Sequence, residues 1–176
     1  AFDLAVPSLE GRLVYSNRGQ AGIDGTIATA VGICLGSGYT DEASAAPDER
    51  VTAVMGDLTA CHDASSLALV ASTGAHLDIV VADDHGGGIF ATLEHGRATS
   101  PEAYDRWFGL AQSVDYEALA AAYGVAFARA GEPRELEDLL DLPVRGPRLI
   151  HAPVERAEDL YWAIRDVLSR VRGCSL

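Results

Sequence analysis

Apolar and polar positions alternate along the chain in two registers, one suited to strands and one to helices. "VTAVMGD" (Val51 to Asp57) and "LDIVVAD" (Leu77 to Asp83) are nearly continuous apolar runs. Runs of this length predict parallel strands covered on both faces. "RLVYSN" (Arg12 to Asn17), "VAFARA" (Val125 to Ala130) and "PRLIHAPV" (Pro147 to Val154) predict three further strands. Between them, Ile23, Ile27, Ala30, Val31 and Cys34 recur at helical spacing and predict a helix over 23–36. Helices are also predicted over 65–72, over 115–124 with Gly124 as its stop, over 132–142 and over 157–173. The Gly36–Arg50 stretch is rich in breakers and reads as a flexible loop. The stretch after Gly88 carries Phe90, Tyr104, Trp107 and Phe108 and reads as irregular. Strand and helix alternate throughout, which predicts an α/β fold: a doubly wound, mainly parallel sheet with helices on both faces.

Composition narrows the partners. The chain has 176 residues and a net charge of −13, which speaks against nucleic acid or an anionic membrane. No apolar stretch approaches the roughly 18 residues of a membrane span, and no signal peptide is evident. Cys34, Cys61 and Cys174 are odd in number and widely spaced, so a reducing cytoplasm is expected, with neither a disulfide framework nor a zinc site. One domain is expected over 1–176. The opening "AFDLAVPSLEGRL" lacks an initiator Met and reads as the middle of a connection, so a longer parent protein is expected.

Candidate chemistry sits at two strand ends. "VMGDLT" places Asp57 at one, and "VVADDHGGG" places Asp83 and Asp84 at the other. Ligands of open α/β sheets bind beyond the carboxyl ends of the strands. A right-handed crossover can set consecutive strands side by side, so Asp57 and one later acid could face a common point. Such oxygens suit a hard cation such as Mg²⁺, which takes about six oxygens and leaves several to phosphate and water. Gly86, Gly87 and Gly88 would let the backbone approach an anion and offer N–H groups. The residues after Asp57 open toward a helix N-terminus, which also favours phosphate. The plainer reading of each loop alone is a cap or a turn. Together the two loops read as a site for metal plus diphosphate.

At this point the motifs resemble a family. Gly56-Asp57 followed by an acidic pair, whose second member Asp84 lies 27 residues after Asp57, is similar to the metal motif of thiamine-diphosphate-dependent enzymes. That family carries Asn-Asn where this chain has Asp83-Asp84. "YSNRGQAGIDGTIATAVG", "GDLTACHD" and "GGGIF" resemble, in order, segments of the 2-succinyl-5-enolpyruvyl-6-hydroxy-3-cyclohexene-1-carboxylate synthases of menaquinone biosynthesis. The resemblance covers essentially the whole chain, but only the C-terminal, diphosphate-binding third of those proteins.

The resemblance implies thiamine diphosphate and Mg²⁺ (or Mn²⁺) as cofactors. Asp57, Asp84 and the Gly86 carbonyl would ligate the metal. Gly56, Asp57, Leu58, Thr59, Asp84, Gly86, Gly87 and Ile89 would line the cofactor, and Ile23 would support its bent shape. Arg18 would meet a substrate carboxylate, and Ile89, Phe90 and Leu93 would form an apolar wall by the reacting carbon. The implied reaction is decarboxylation of 2-oxoglutarate and transfer of its remainder to isochorismate, in a homo-oligomer, dimer or tetramer. No catalytic residue is expected in this fragment, because the family's activating glutamate lies in an N-terminal domain. The fragment alone is therefore expected to be inactive. Another thiamine-diphosphate carboligase or decarboxylase, and a non-catalytic assembly or regulatory remnant, stand as alternatives. His62, His76, His95 and His151 show no ligand spacing and read as structural or surface groups, His85 as a solvated one. Trp107, Phe108 and Trp162 read as core or interface.

Overall fold

The computed structural model describes residues 13–17, 23–40, 50–93, 96, 98–143, 145–156, 162–163, 166–167 and 170. Four parallel strands form one sheet in the order β1-β2-β4-β3. They are β1 (Val51–Gly56), β2 (Leu77–Asp83), β3 (Ala126–Arg129) and β4 (Arg148–Pro153). The helices are α1 (Thr26–Ser37), α2 (Asp57–His62), α3 (Leu67–Thr73), α4 (Pro101–Tyr104), α5 (Tyr116–Tyr123) and α6 (Pro133–Leu140). The α/β class and the parallel sheet thus agree with the sequence reading.

Each face of the sheet is covered by helices with matching apolar positions. On one face Ile27, Val31 and Cys34 of α1, Leu67 and Val70 of α3, and Tyr116 and Ala120 of α5 pack on Ile79, Val81 and Leu149. On the other, Leu136, Leu139 and Leu140 pack on Val80, Ile150 and Ala152. β2 is central, and Leu77 to Val81 are buried on both sides. Local chemistry sets the helix ends. The Asp115 side chain accepts the Ala118 N–H at 2.9 Å at the start of α5, and Gly124 ends it at φ +71°. A Glu132–Glu135 capping box with Pro133 at the first turn opens α6.

The structure corrects three expectations. Leu13 to Asn17 is not a strand; Leu13, Val14 and Tyr15 are exposed, and the sheet ends at β1 without pairing to them. β1 is covered on one side only: it stands at the sheet edge, its burial alternates, and Val54 is 45% exposed. An apolar run therefore did not guarantee a central position. The Gly36–Arg50 loop is anchored at its start, where Thr40 bridges to Ala75 and the Tyr39 carbonyl accepts the His76 N–H at 2.9 Å. Residues 41–49 lie outside the described residues. So does most of the expected C-terminal helix, which is seen as helix at 162–163, 166–167 and 170.

The strand ends opposite the candidate site are locked by charge. Asp78 is fully buried and faces Arg148 across the β2–β4 register. It accepts from Nε of Arg148 at 2.8 Å and from a terminal nitrogen of Arg50 at 2.9 Å. Arg148 also donates to the Leu139 carbonyl at 2.7 Å, and Arg50 to the Gly146 carbonyl at 3.3 Å. One carboxylate thus ties together the starts of β1, β2 and β4 and the end of α6. Burial pushes the Arg50 guanidinium below its ordinary value, and the Asp78 charge opposes that shift. Asp78→Ala would leave two buried cations without their shared anion. It is expected to cost about 3–5 kcal/mol in urea unfolding.

Candidate functional site

β1 and β2 pair in register from Val51↔Leu77 to Gly56↔Ala82. The next residues, Asp57 and Asp83-Asp84, therefore leave the sheet side by side at its carboxyl edge. Asp57 is the first residue of α2 and is only 2% exposed. Its Oδ1 accepts the Leu58 N–H at 2.8 Å. Its Oδ2 is buried and has no hydrogen-bond partner among the described residues. Burial pushes the Asp57 carboxyl above its usual range. The Leu58 amide opposes this, the charges of Asp84 and Asp83 add to it, and the Gly86 amide opposes it. Before Asp57, Gly56 is extended (φ −79°, ψ 166°), and a Cβ there would meet nothing within 4 Å. Open space at Gly56 thus adjoins in sequence a residue whose Oδ2 is buried and makes no close hydrogen bond among the described residues.

The second loop is held by its backbone. Asp83 Oδ1 accepts the His85 N–H at 3.0 Å, and His85 and Gly86 follow at φ +61° and +135°. Arg156 donates from Nε to the Asp84 carbonyl at 3.1 Å and from its terminal nitrogen to the His85 carbonyl at 3.0 Å. The glycines are there for close approach. A Cβ on Gly86 would overlap the Gly109 carbonyl, one on Gly87 the Phe108 carbonyl, and one on Gly88 the Asp84 carboxylate. The Gly87 N–H donates to the Gly109 carbonyl at 2.7 Å, and Tyr104 donates its hydroxyl to the Gly87 carbonyl at 2.8 Å. The expectation of a freely presented row of amides is therefore corrected at Gly87, whose N–H is committed to the 105–109 turn.

The other anticipated residues fall into two groups. Ile23, half-exposed, precedes α1, and Leu58 and Thr59 lie on α2. The starts of α1 and the end of α2 are joined by Asp63. Its Oδ2 accepts the Ile27 and Ala28 amides at 2.7 and 3.2 Å, and its Oδ1 accepts the Ser66 hydroxyl at 2.6 Å. Asp24 and His62 add a contact at 3.3 Å across the same junction. Ile89 (69% exposed) and Leu93 (44%) present apolar side chains to solvent. Phe90 is partly buried, with its ring 6.3 Å from that of Phe108. Trp107 is exposed rather than part of the core. Arg18 and His95 lie outside the described residues.

Sequence reasoning missed Asp63 and His151. The signal for Asp63 was weak: a helix start at Gly25 without a side-chain cap of its own. His151 bonds Asp83 Oδ2 at 2.8 Å, and only the strand register could have brought the two together. No group of three His, Cys, Asp or Glu side chains able to hold a metal occurs among the described residues.

The fold is a parallel α/β sheet with two acidic loops at its carboxyl edge, and comparison with known families says which class of domain it is. Residues 5–152 match the family model of the thiamine pyrophosphate enzyme, C-terminal TPP binding domain, and the chain belongs to that family. More narrowly, it is similar to 2-succinyl-5-enolpyruvyl-6-hydroxy-3-cyclohexene-1-carboxylate synthases. It is 41% identical to that of Paenarthrobacter aurescens over 91% of the chain and 28% of the relative. It is 40% identical to that of Nocardioides sp. over 98% and 30%, and 41% identical to that of Mycobacterium tuberculosis over 94% and 31%. The chain thus spans under a third of the curated relatives it matches. Among solved structures, the benzoylformate decarboxylase of Polynucleobacter necessarius matches 74% of this chain and 23% of its own. Its TM-score is 0.59 at 21% identity, a likeness of fold.

The raised Asp57 carboxyl makes a prediction with a definite sign. Below the ordinary carboxylate value Asp57 is protonated folded and unfolded, and costs nothing. As pH rises through its elevated folded value, the unliganded fold loses stability. Asp57→Asn removes that loss. The unliganded variant is expected to melt about 2–4 °C above the parent near pH 7 for each kcal/mol recovered. The difference should shrink toward about pH 4. Calorimetry across that range checks it.

Proposed function

We propose that this chain binds thiamine diphosphate together with Mg²⁺ (or Mn²⁺). We place it as the C-terminal domain of a longer, three-domain transferase of menaquinone biosynthesis. The observation that carries this reading is Asp57 Oδ2, buried, without a close hydrogen bond among the described residues and at the same sheet edge as Asp84. A buried carboxylate oxygen left without a donor costs stability unless a ligand completes it. Asp57, Asp84 and the Gly86 carbonyl would hold the metal. Gly56, Leu58, Thr59 and Gly87 would line the diphosphate, with open space at Gly56 to receive it.

When bound, thiamine diphosphate supplies an electron sink for losing CO₂ from a 2-oxo acid and joining the remainder to a second substrate. The similar synthases suggest 2-oxoglutarate and isochorismate in those roles. Ile89 and Leu93, exposed at the mouth of the glycine loop, would exclude water from the reacting carbon, with Phe90 braced on Phe108. Ile23, beside the α1–α2 junction, would support the ring system, and Arg18 would meet a substrate carboxylate. None of these side chains moves a proton at the cofactor, so the domain alone is proposed to be inactive. A cytoplasmic location fits the free Cys34 and Cys61, and among the described residues no helix is long and apolar enough to cross a membrane.

The surface supports the homo-oligomeric part of this reading. α1 and α3, neighbours on one face, contain no charged residue, yet Leu35 and Leu69 are about half exposed. α6 on the opposite face exposes Arg134, Glu135, Glu137 and Asp138. Depletion of charge marks the centre of an interface, and two copies of a −13 chain meet most readily where no carboxylate stands.

Thermal unfolding tests the cofactor reading. Thiamine diphosphate with Mg²⁺ at 100 times its Kd is expected to stabilise the chain by about 2.7 kcal/mol. Asp57→Ala should abolish the gain; no gain in the parent at millimolar ligand would refute the reading. In the full-length enzyme, CO₂ release from 2-oxoglutarate should require isochorismate. For the assembly, Leu35→Glu with Leu69→Glu is expected to lower the mass seen by sedimentation. An unchanged mass would refute the face.

A further inference from the structure

Beneath the two loops runs a series of contacts that the proposed chemistry leaves unused. Asp83 is 5% exposed, and both its oxygens are engaged: Oδ1 with the His85 amide at 3.0 Å, Oδ2 with His151 Nε2 at 2.8 Å. Its carbonyl accepts the Val154 N–H at 2.8 Å. Burial alone would raise its carboxyl. The bonds from His151 and the His85 amide, with the charges of both imidazoles, outweigh that and hold it below the ordinary value. The His151 ring in turn packs 4.8 Å from the Tyr116 ring, and the Tyr116 hydroxyl lies 3.8 Å from Cys61 Sγ. Cys61 is on α2, one turn after Asp57. The series therefore starts on the helix of one acid and ends at the residue before the other.

The loop it reaches needs such support. His85 and Gly86 take consecutive positive φ values, +61° and +135°. For a histidine this conformation is costly and persists only where its surroundings impose it. The bond from the His85 amide to Asp83 Oδ1 imposes it, and that carboxylate is fixed by His151 on the next strand.

We infer that Asp83 and His151 are positioning residues for the metal: through the 2.8 Å bond between them, they set where Asp84 and the Gly86 carbonyl stand relative to Asp57. The inference rests on the cofactor reading above. It also explains why the acidic pair supplies one ligand rather than two, since Asp83 has no free oxygen to give.

The test is Mn²⁺ binding, read from the electron paramagnetic resonance of the free ion, with saturating thiamine diphosphate. His151→Leu keeps bulk and removes the donor. It is expected to raise the Mn²⁺ Kd about 10–100-fold, the usual range for loss of a ligand-orienting group. His151→Gln keeps a side-chain donor and should restore binding close to that of the parent, which a loss of mere packing would not predict. Because His151→Leu leaves Asp83 buried and unpaired, the double variant Asp83→Asn/His151→Leu is measured beside it. That variant carries no stranded charge, should melt near the parent without ligands, and should still bind Mn²⁺ weakly. Parental affinity in the folded double variant, or equal weakness in the Gln and Leu variants, overturns the inference alone. Failure of the parent chain to bind Mn²⁺ overturns the cofactor reading with it.

Discussion

The in-register parallel pairing of β1 with β2 is the constraint on which the rest depends. It starts at Val51↔Leu77 and ends at Gly56↔Ala82, so both strands finish at one level. A slip of one residue would turn each strand's side chains to the opposite face, and Asp57 would no longer emerge beside Asp83 and Asp84. What prevents a slip lies at the far end of the sheet. Asp78 sits across from Arg148 and between it and Arg50, so register is fixed by charge where the strands begin and used where they end. The apolar core supplies the burial, but Val, Ile and Leu at alternating positions would tolerate other alignments that one buried carboxylate would not.

The site edge shows the reverse economy. At the base of the sheet a buried carboxylate is fully matched by two guanidinium groups. At the carboxyl edge Asp57 is equally buried and half matched, with one oxygen on the Leu58 amide and the other on nothing among the described residues. Its proton affinity is raised by burial and by neighbouring acids. The same chain thus satisfies one aspartate and leaves another in deficit, and the deficit lies where strand ends, open space and the second acidic loop coincide. Proteins depart from local satisfaction at functional sites and offset the cost elsewhere.

Much of this was legible in the sequence because it is local. β2 emerged with the boundaries its apolar run gives, and α5 with the Asp and Gly that cap it. The acids at 57 and 84 were readable as a pair once two strands were assumed to be neighbours. What was not legible depends on long-range placement. β1 has the same apolar look as a central strand and becomes an edge only through the order of the sheet. The segment over 13–17 has strand composition but is not a strand in the structure. Asp63 and His151 act through contacts 36 and 68 residues away in sequence, and no local pattern marks either. The glycines were read for what they could offer an anion. Their closest constraint is the Phe108–Gly109 backbone, brought alongside by a turn that looked irregular.

The acidic pair can be understood as charge accounting. Three carboxylates crowd the edge: Asp57, Asp83 and Asp84. Were all three open to the site, mutual repulsion and burial would favour protonation over any folded arrangement of free anions. The structure bonds one of them into the fold. Asp83 is bonded by His151 and the His85 amide, which leaves Asp57 and Asp84 as the other two acids at the carboxyl edge. Two carboxylates and a carbonyl are oxygen ligands of the kind a hard divalent cation takes. An aspartate at position 84 then stands as the acid of the pair left for the site, because both oxygens of its neighbour are bonded within the fold.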